Sequence, residues 1–273
     1  MNRETWAVAA TLLLLTFGMT QALGQPLQHD MQPRMQQRMQ ACTPCHGKEG
    51  RATPEGYFPR IAGKPAGYLA AQLQNFRDGR RPHALMTNMV RHLSDDYIAD
   101  IAAYFAAQDL PYSPPVAANV APAVAPSATP LAKHLAEATV LARGRHLAEQ
   151  GDTERRLPAC QACHGAALMG VQPQVPGLLG LPRDYLLAQL GAWRTGQRRT
   201  HAPDCMAQVA KALSDQDASA VATWLATQTV QPGIRTATQT AHARDLAQAQ
   251  AQAQAQAKTQ AQTLPLRCAG MAP

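Results

Sequence analysis

Cys42-Thr43-Pro44-Cys45-His46-Gly47 is matched later in the chain by Cys160-Gln161-Ala162-Cys163-His164-Gly165, and these two stretches decide the fold. The residues that follow also correspond, at an offset that moves only from 117 to 120 positions along the 273-residue chain. The first copy continues with Pro59, Gly63, Tyr68, Leu69, Gln72, Leu73, Phe76, Arg77, Gly79 and Leu93-Ser94-Asp95. The second copy continues with Pro176, Gly180, Tyr185, Leu186, Gln189, Leu190, Trp193, Arg194, Gly196 and Leu213-Ser214-Asp215. Such a match indicates an internal duplication.

Cys-x-x-Cys-His is the attachment signature of c-type haem. Two cysteines three positions apart on the first turns of a helix can each bond to one vinyl group of the porphyrin, and the adjacent histidine then lies beneath the iron. The same pentapeptide could instead be a dithiol redox pair or half of a zinc site. Zinc would need a second ligand pair in each copy, and the first copy has no other cysteine; a thioredoxin-like site would need a βαβ context. We therefore predict two covalently attached haems c, with these attachment and proximal residues: Cys42, Cys45 and His46; Cys160, Cys163 and His164.

The sixth ligand of each haem is predicted from the register of the methionines. The second copy contains Met169, which is five residues after the motif histidine and too close to reach the opposite haem face, and Met206. Met206 lies seven residues before the Leu-Ser-Asp segment, and Met86 lies seven residues before the same segment of the first copy. A methionine near a helix is usually core filler, but this one recurs in register. We predict Met86 and Met206 as the sixth ligands.

Other side chains near these methionines are weaker candidates for iron ligands. Met89 competes locally with Met86, but its counterpart in the second copy is Val209. His83 and His201 precede the methionines by three and five residues, and this mismatch favours positions at the surface or behind a ligand. Methionine opposite histidine raises the haem potential, which suits a carrier that accepts electrons from a dehydrogenase or quinol-oxidising complex and delivers them to a terminal oxidase.

Both copies have the periodicity of helices. Leu69, Leu73 and Phe76 are spaced i, i+4, i+7, and the equivalent residues of the second copy keep this spacing, so each set marks one apolar helix face. Ser94 and Ser214 are predicted N-caps of a final helix, and the glycine after each first helix is a predicted stop. Sustained period-two alternation is absent from both copies. We predict an all-α fold for both copies.

The first residues have the form of an export signal. Arg3 precedes an apolar run from Trp6 to Phe17, followed by the small-x-small site Ala22-Leu23-Gly24. The run has 12 residues, too few to span a bilayer as a helix. We therefore expect a periplasmic protein. Its net charge of +7 is not concentrated in a basic stripe interleaved with aromatic residues, so nucleic-acid binding is not expected.

Composition changes mark the predicted domain limits. A proline- and alanine-rich stretch separates the two copies, and an alanine–glutamine tail ends the chain. We predict a signal peptide (1–24), a first domain (25–110), a linker (111–130), a second domain (131–230) and a low-complexity tail (231–273).

Three matched pairs carry further expectations: Pro59 and Pro176, Tyr68 and Tyr185, and Arg77 and Arg194. A backbone carbonyl at each proline could accept the Nδ1 proton of the proximal histidine and so orient its ring, or the prolines could simply turn a loop. The tyrosines and arginines could reach the haem propionates, or they could serve packing and solvated charge. The sequence leaves both alternatives open for each pair.

Together these motifs resemble the dihaem cytochromes of the cytochrome c4 type, which are built from two class I cytochrome c domains in tandem. The resemblance covers residues 40–108 and about 143–228. It implies a periplasmic electron carrier, soluble or peripherally membrane-associated, with His/Met ligation at both haems. The linker is longer and richer in proline than the compact family pattern, which argues against rapid electron exchange through a fixed interface. Cys205 and Cys268 are additional, and both a disulfide and two free thiols fit the sequence.

Three functions are compatible with paired haem motifs. The first is a free electron carrier that shuttles between respiratory partners, and the second is a dihaem cytochrome subunit of a periplasmic dehydrogenase complex. The third is a dihaem peroxidase, which needs one iron with an open or displaceable sixth position. Two matched methionines and the lack of an evident distal acid–base pair argue against the peroxidase. We predict an electron carrier with no catalytic residues, not an enzyme.

Overall fold

The computed structural model describes residues 34–53, 56–113 and 129–230 of the chain. The two copies of the duplicated sequence form two helical domains, which we call domain I (residues 34–113) and domain II (residues 129–230). The predicted leader and tail, and most of the predicted linker, lie outside the described residues. The domain limits derived from composition therefore stay predictions.

Both domains are built from short helices. Domain I has a helical stretch over residues 34–39, a 3-10 turn (Gln40–Cys42), α1 (Thr43–His46), a second 3-10 turn (Lys48–Gly50), α2 (Ala66–Arg77), α3 (Ala84–Val90) and α4 (Asp95–Ala106). Domain II has α5 (Pro130–Glu149), α6 (Cys160–His164), β1 (Gly170–Val171), β2 (Val175–Pro176), α7 (Arg183–Arg194), α8 (Cys205–Ala212) and α9 (Asp215–Thr227). β1 and β2 pair antiparallel as a small ribbon. The all-α prediction is confirmed, with this ribbon as a minor addition. Within the described residues, no helix combines the length and the apolar character needed to cross a bilayer.

The apolar faces predicted for the helices form the two cores. The last helix of each domain also buries apolar residues, among them Ile98, Ile101 and Phe105 in α4, and Ala218, Val221 and Leu225 in α9. α2 packs against α4 in domain I, whereas α9 packs against both α5 and α7 in domain II. α5 also contacts α6, so the helix that completes the second core supports the motif turn as well.

The helix ends follow the predicted signals. The hydroxyl groups of Ser94 and Ser214 accept hydrogen bonds from the third backbone N–H that follows, at 3.3 and 3.1 Å. These serines therefore cap α4 and α9, as predicted. Gly79 and Gly196 follow the ends of α2 and α7 with φ values of +71° and +75°, a left-handed conformation that favours glycine. The predicted stops are confirmed.

Asp217 ties α9 to two other parts of domain II. Its carboxylate, only 5% exposed as a residue, accepts hydrogen bonds from Nε of Arg143 at 2.8 Å and from Nη1 of Arg155 at 2.6 Å. Burial alone would raise the pKa of Asp217, but the hydrogen bonds from the two arginines outweigh it and lower the pKa to about 2. The carboxylate therefore stays charged inside the domain.

Asp217→Asn is expected to destabilise domain II by about 3 kcal/mol, because removing one partner from a buried ion pair leaves the other charge uncompensated. Urea unfolding near neutral pH measures this loss. The folded-state pKa of about 2 lies below the ordinary aspartate value. The stabilisation is therefore present above about pH 4 and disappears as the pH falls towards 2, so the difference between wild type and variant should shrink over that window.

Asp215→Asn is the matched control, because Asp215 lies two residues earlier with its side chain 91% exposed. Its ion pair with Arg194 is solvated and should contribute far less. Equal losses of stability in the two variants would show that burial does not distinguish the two carboxylates.

The two domains contact each other directly. The backbone N–H of Arg199 donates to the carbonyl oxygen of Arg80 at 2.8 Å. At Gly67, near the start of α2, a Cβ atom would lie 2.7 Å from the carbonyl oxygen of Pro173 in domain II, so only glycine permits this approach. The long predicted linker argued against a fixed interface, and the described residues nevertheless form one. The length of a connecting segment does not decide whether the surfaces that it joins are complementary.

Candidate haem-binding sites

Each cysteine motif forms a short helical turn. Cys42 is the N-cap of α1, and Cys160 is the first residue of α6. Two cysteines three positions apart on such a turn lie on the same side of it. All four motif cysteines are free thiols, as attachment to two haems requires. A Cβ on Gly47, which follows the first motif with φ +74°, would lie 2.3 Å from the carbonyl oxygen of Ala52, so the tight exit from that turn requires glycine.

The electrostatics of the thiols distinguish among the chemistries left open by the motif. Burial, with a smaller contribution from the second cysteine of the motif, raises the pKa of Cys42, and the same causes raise the pKa of Cys160 to about 11. Reactive redox cysteines have a lowered thiol pKa, because the thiolate is the nucleophile, so the raised pKa values do not fit a dithiol redox pair. In the part of the chain that the structure describes, no group of three or more His, Cys, Asp or Glu residues could hold a metal ion. The geometry therefore does not support a zinc or dithiol site.

The two motif histidines are held in the same way. Nδ1 of His46 lies 2.9 Å from the carbonyl oxygen of Pro59, and Nδ1 of His164 lies 2.8 Å from that of Pro176. Because a carbonyl oxygen only accepts, Nδ1 carries the proton and Nε2 is left with a free lone pair. Of the two alternatives that the sequence left open for these prolines, the structure has the one in which a backbone carbonyl orients the histidine, in both domains.

Both histidines are also kept neutral. Burial is the main reason that the pKa of each imidazole is lowered, although the hydrogen bond to the proline carbonyl partly opposes it. Nearby positive charges lower the pKa further: Arg81 for His46, and Lys64 for His164. A neutral imidazole with an unprotonated Nε2 is the form that binds a metal ion.

The two predicted methionine ligands occupy equivalent short helices. Met86 lies in α3 and Met206 in α8, and both are partly buried, whereas Met89 is 51% exposed. His83 caps α3, because its Nδ1 accepts from the backbone N–H of Met86 at 3.4 Å, and Asp204 caps α8 in the same manner. This places His83 behind a predicted ligand, as expected. The equivalence supports Met86 over Met89, while the ligand assignment itself stays a prediction.

A cluster of polar side chains between the domains was missed in the sequence. Arg81 donates to the side-chain oxygens of Gln72 and Gln189 at 2.9 and 2.7 Å. Arg198 donates to the same two oxygens, at 2.8 and 2.7 Å. Nη2 of Arg81 also donates to the hydroxyl oxygen of Tyr185 at 3.3 Å. We call this set the interface cluster: Tyr68, Gln72, Arg81, Tyr185, Gln189 and Arg198.

Register could have revealed both interface arginines. Arg81 and Arg198 are 117 positions apart, the same offset that relates the helices before them. Their contacts differ from those of the other matched pair of arginines, Arg77 and Arg194. Arg77 donates to the Leu93 carbonyl and pairs with Asp95, and Arg194 makes the equivalent contacts near the start of α9. Packing and solvated charge therefore account for Arg77 and Arg194.

The interface cluster has donors without a matching anion. Arg198 is only 4% exposed and lies over the ring of Trp193 at 3.7 Å. Among the described residues, the hydrogen bonds of Arg198 and Arg81 go to amide and hydroxyl oxygens and not to a carboxylate. Nε1 of Trp193 is buried and has no hydrogen-bond partner among the residues described. One buried and one partly buried cation, together with an indole N–H that has no partner among the described residues, fit groups that bring their own carboxylates, as haem does with its propionates.

The remaining cysteines belong to neither motif. Cys205 begins α8, directly before Met206, and takes part in a disulfide. Cys268, whose pairing the sequence left open, lies outside the described residues.

Comparison with known proteins identifies related cytochromes. The family "Cytochrome c" matches residues 141–229. A thiosulfate dehydrogenase electron acceptor from Thiomonas intermedia is 35% identical over 192 residues, which cover 70% of this chain and 80% of that protein. Cytochrome c4 from Pseudomonas aeruginosa is 30% identical over 217 residues, covering 78% of this chain and 94% of that protein. The crystal structure of reduced recombinant cytochrome c4 from Pseudomonas stutzeri matches with a TM-score of 0.56 and 28% identity, covering 72% of this chain and 98% of that one.

Proposed function

This chain belongs to the cytochrome c4 family and is a dihaem electron-transfer protein, and we propose that it works in the periplasm as a carrier with one haem c in each domain. The observation that carries this proposal is the pair of matching bonds from His46 to the Pro59 carbonyl and from His164 to the Pro176 carbonyl. These bonds leave the unprotonated Nε2 of each imidazole directed away from the supporting carbonyl, and burial keeps both imidazoles neutral. The export signal in the sequence supports the compartment.

Each domain supplies one complete set of haem-binding groups in this proposal. The thiols of Cys42 and Cys45 bind the first haem, and those of Cys160 and Cys163 bind the second. His46 and His164 are the proximal ligands, and Met86 and Met206 are the sixth ligands. These residues occupy corresponding positions in the two copies of the sequence.

The chemistry that the haem supplies is reversible storage of one electron at the iron. The chain's own residues do the rest. The proline carbonyls hold the histidine rings and increase their basicity, while the methionine thioethers favour the reduced state. If a histidine and a methionine held each haem iron as proposed, no iron position would be open to a substrate, which favours a carrier over a peroxidase.

We assign the interface cluster to the haem propionates. Arg81 and Arg198 provide the positive charge, and Tyr68, Tyr185 and Trp193 provide neutral donors. Buried charges of one sign are costly unless they are paired, so carboxylates arriving with each haem would lower the cost of keeping two guanidinium groups between the domains. The haems would then strengthen the domain interface.

The donor that we propose is a periplasmic dehydrogenase that oxidises thiosulfate. The support is the similarity to a protein named as a thiosulfate dehydrogenase electron acceptor, which spans most of both chains. The acceptor that we propose is a terminal oxidase. Stopped-flow mixing of the oxidised protein with a purified thiosulfate dehydrogenase should show haem reduction that depends on thiosulfate; reduction by thiosulfate alone, or none with the enzyme, would contradict this donor.

The same similarity also supports the second candidate function, a cytochrome subunit of a dehydrogenase complex. A subunit should co-purify with the dehydrogenase through size-exclusion chromatography, whereas a free carrier should elute alone. The haem sites would be the same for a subunit and for a free carrier, so only the lifetime of the complex with the dehydrogenase distinguishes them.

The central experiment is the haem content and visible spectrum of protein matured in a bacterial periplasm. We expect two haems per chain, low-spin spectra with histidine–methionine features in both oxidation states, and no turnover of hydrogen peroxide. Bound zinc, or correctly exported protein without haem, would contradict the attachment proposal. A high-spin haem with peroxidase activity would contradict the carrier.

A further inference from the structure

Lys64 is a buried cation that crosses the domain interface. It is 4% exposed, and its Nζ donates to the carbonyl oxygen of Gly177 in domain II at 2.9 Å. Gly177 directly follows Pro176, whose carbonyl accepts from Nδ1 of His164. The ammonium group of domain I is therefore one peptide unit away from the group that orients the proximal histidine of domain II.

No carboxylate of the described residues pairs with Lys64. Its charge is consequently not cancelled locally by the protein. Burial, and secondarily the nearby Arg60, lowers the pKa of Lys64 to about 7. A buried charge is screened by solvent much less than a surface charge, so it acts on its surroundings over a longer distance.

The duplication provides no equivalent cation for domain I. Gly63-Lys64-Pro65 of the first copy corresponds to Gly180-Leu181-Pro182 of the second. Leu181 is buried and apolar, so the second copy has no charge at the position equivalent to Lys64. The interface arginines, by contrast, occur once in each copy. Lys64 is therefore an asymmetric element in an otherwise paired interface.

We propose that Lys64 raises the reduction potential of the domain II haem by placing a positive charge from domain I behind the loop that holds His164. The oxidised haem carries one more positive charge than the reduced haem, so a nearby cation favours reduction. Lys64 acts through the supporting loop and its charge, and it is a positioning residue rather than a ligand. This inference rests on the proposed haem in domain II.

Two variants separate the charge of Lys64 from its hydrogen bond. Lys64→Gln removes the charge and keeps a donor for the Gly177 carbonyl, whereas Lys64→Met removes both. Lys211→Gln is the matched control, because it removes a lysine charge from an exposed position in domain II. Potentials are measured at about pH 6, where a lysine with a pKa of about 7 is mostly charged.

Each haem is followed by its paramagnetically shifted haem methyl signals during an NMR redox titration. The signals are assigned with two single-haem variants, Cys42→Ala/Cys45→Ala and Cys160→Ala/Cys163→Ala. We expect the domain II potential to fall in both Lys64 variants, with smaller shifts of the domain I potential and in Lys211→Gln. An unchanged domain II potential in Lys64→Gln, or equal shifts of both haems, would overturn the proposal.

The same titration distinguishes this failure from a failure of the proposed haem sites. If neither double-cysteine variant loses a set of haem signals, the attachment assignment is wrong. If the signals are lost as expected but Lys64→Gln leaves the domain II potential in place, the sites stand and the role of Lys64 is wrong. Circular dichroism of each variant checks that the helices are retained.

Discussion

Met206→Ala is expected to convert the haem of domain II from a low-spin to a high-spin or water-ligated form while the haem stays attached. The substitution removes the thioether but leaves Cys160, Cys163 and His164 in place. Because methionine opposite histidine raises the potential, the potential of this haem should also fall. Visible and electron paramagnetic resonance spectra report the spin state, and a redox titration reports the potential.

Matched methionine variants test the register on which this expectation depends. Met169→Ala, in the same domain, should keep both haems low-spin, because Met169 is excluded by its short distance along the chain from His164. In domain I, Met86→Ala should become high-spin, whereas Met89→Ala should not, since the Met89 side chain is exposed. An unchanged low-spin spectrum at both haems of Met206→Ala would show that Met206 is not a ligand.

Cys163→Ala is expected to weaken covalent attachment in domain II and to lower the haem content from two per chain towards one. Cys163 is exposed, so its replacement should not open a cavity in the protein core. The loss should therefore reflect the missing thioether bond, followed by partial loss of the haem that fills the second core. Haem staining after denaturing electrophoresis and the mass of the intact protein measure the covalently bound haem.

Ala162→Ser is the control for the cysteine variant. Ala162 lies between the two cysteines of the motif and is exposed, but it has no part in the attachment chemistry. Its replacement should leave two haems per chain. If Cys163→Ala retained full covalent haem at both sites, the assignment of the motif would be contradicted.

Much of each site could be predicted because its chemistry depends on residues close in sequence. The Cys-x-x-Cys-His turn, the caps at Ser94 and Ser214, and the apolar faces of the helices all follow from local spacing. The role of the Pro59 and Pro176 carbonyls was an open alternative. The hydrogen bonds to His46 and His164 decided it, since a loop sequence does not reveal which carbonyl turns towards a ring.

By itself, the sequence indicated the two copies, their helical character and the cofactor, and it predicts the residues that attach the haems, because these properties are encoded in short motifs and repeated within the chain. Tertiary structure alone decided how the two copies meet. Arg81 and Arg198 donate to the same two glutamine oxygens because the two domains are in contact. The ammonium group of Lys64 donates to the Gly177 carbonyl of domain II for the same reason. Such contacts join residues more than 100 positions apart, and no local periodicity records the packing that brings them together.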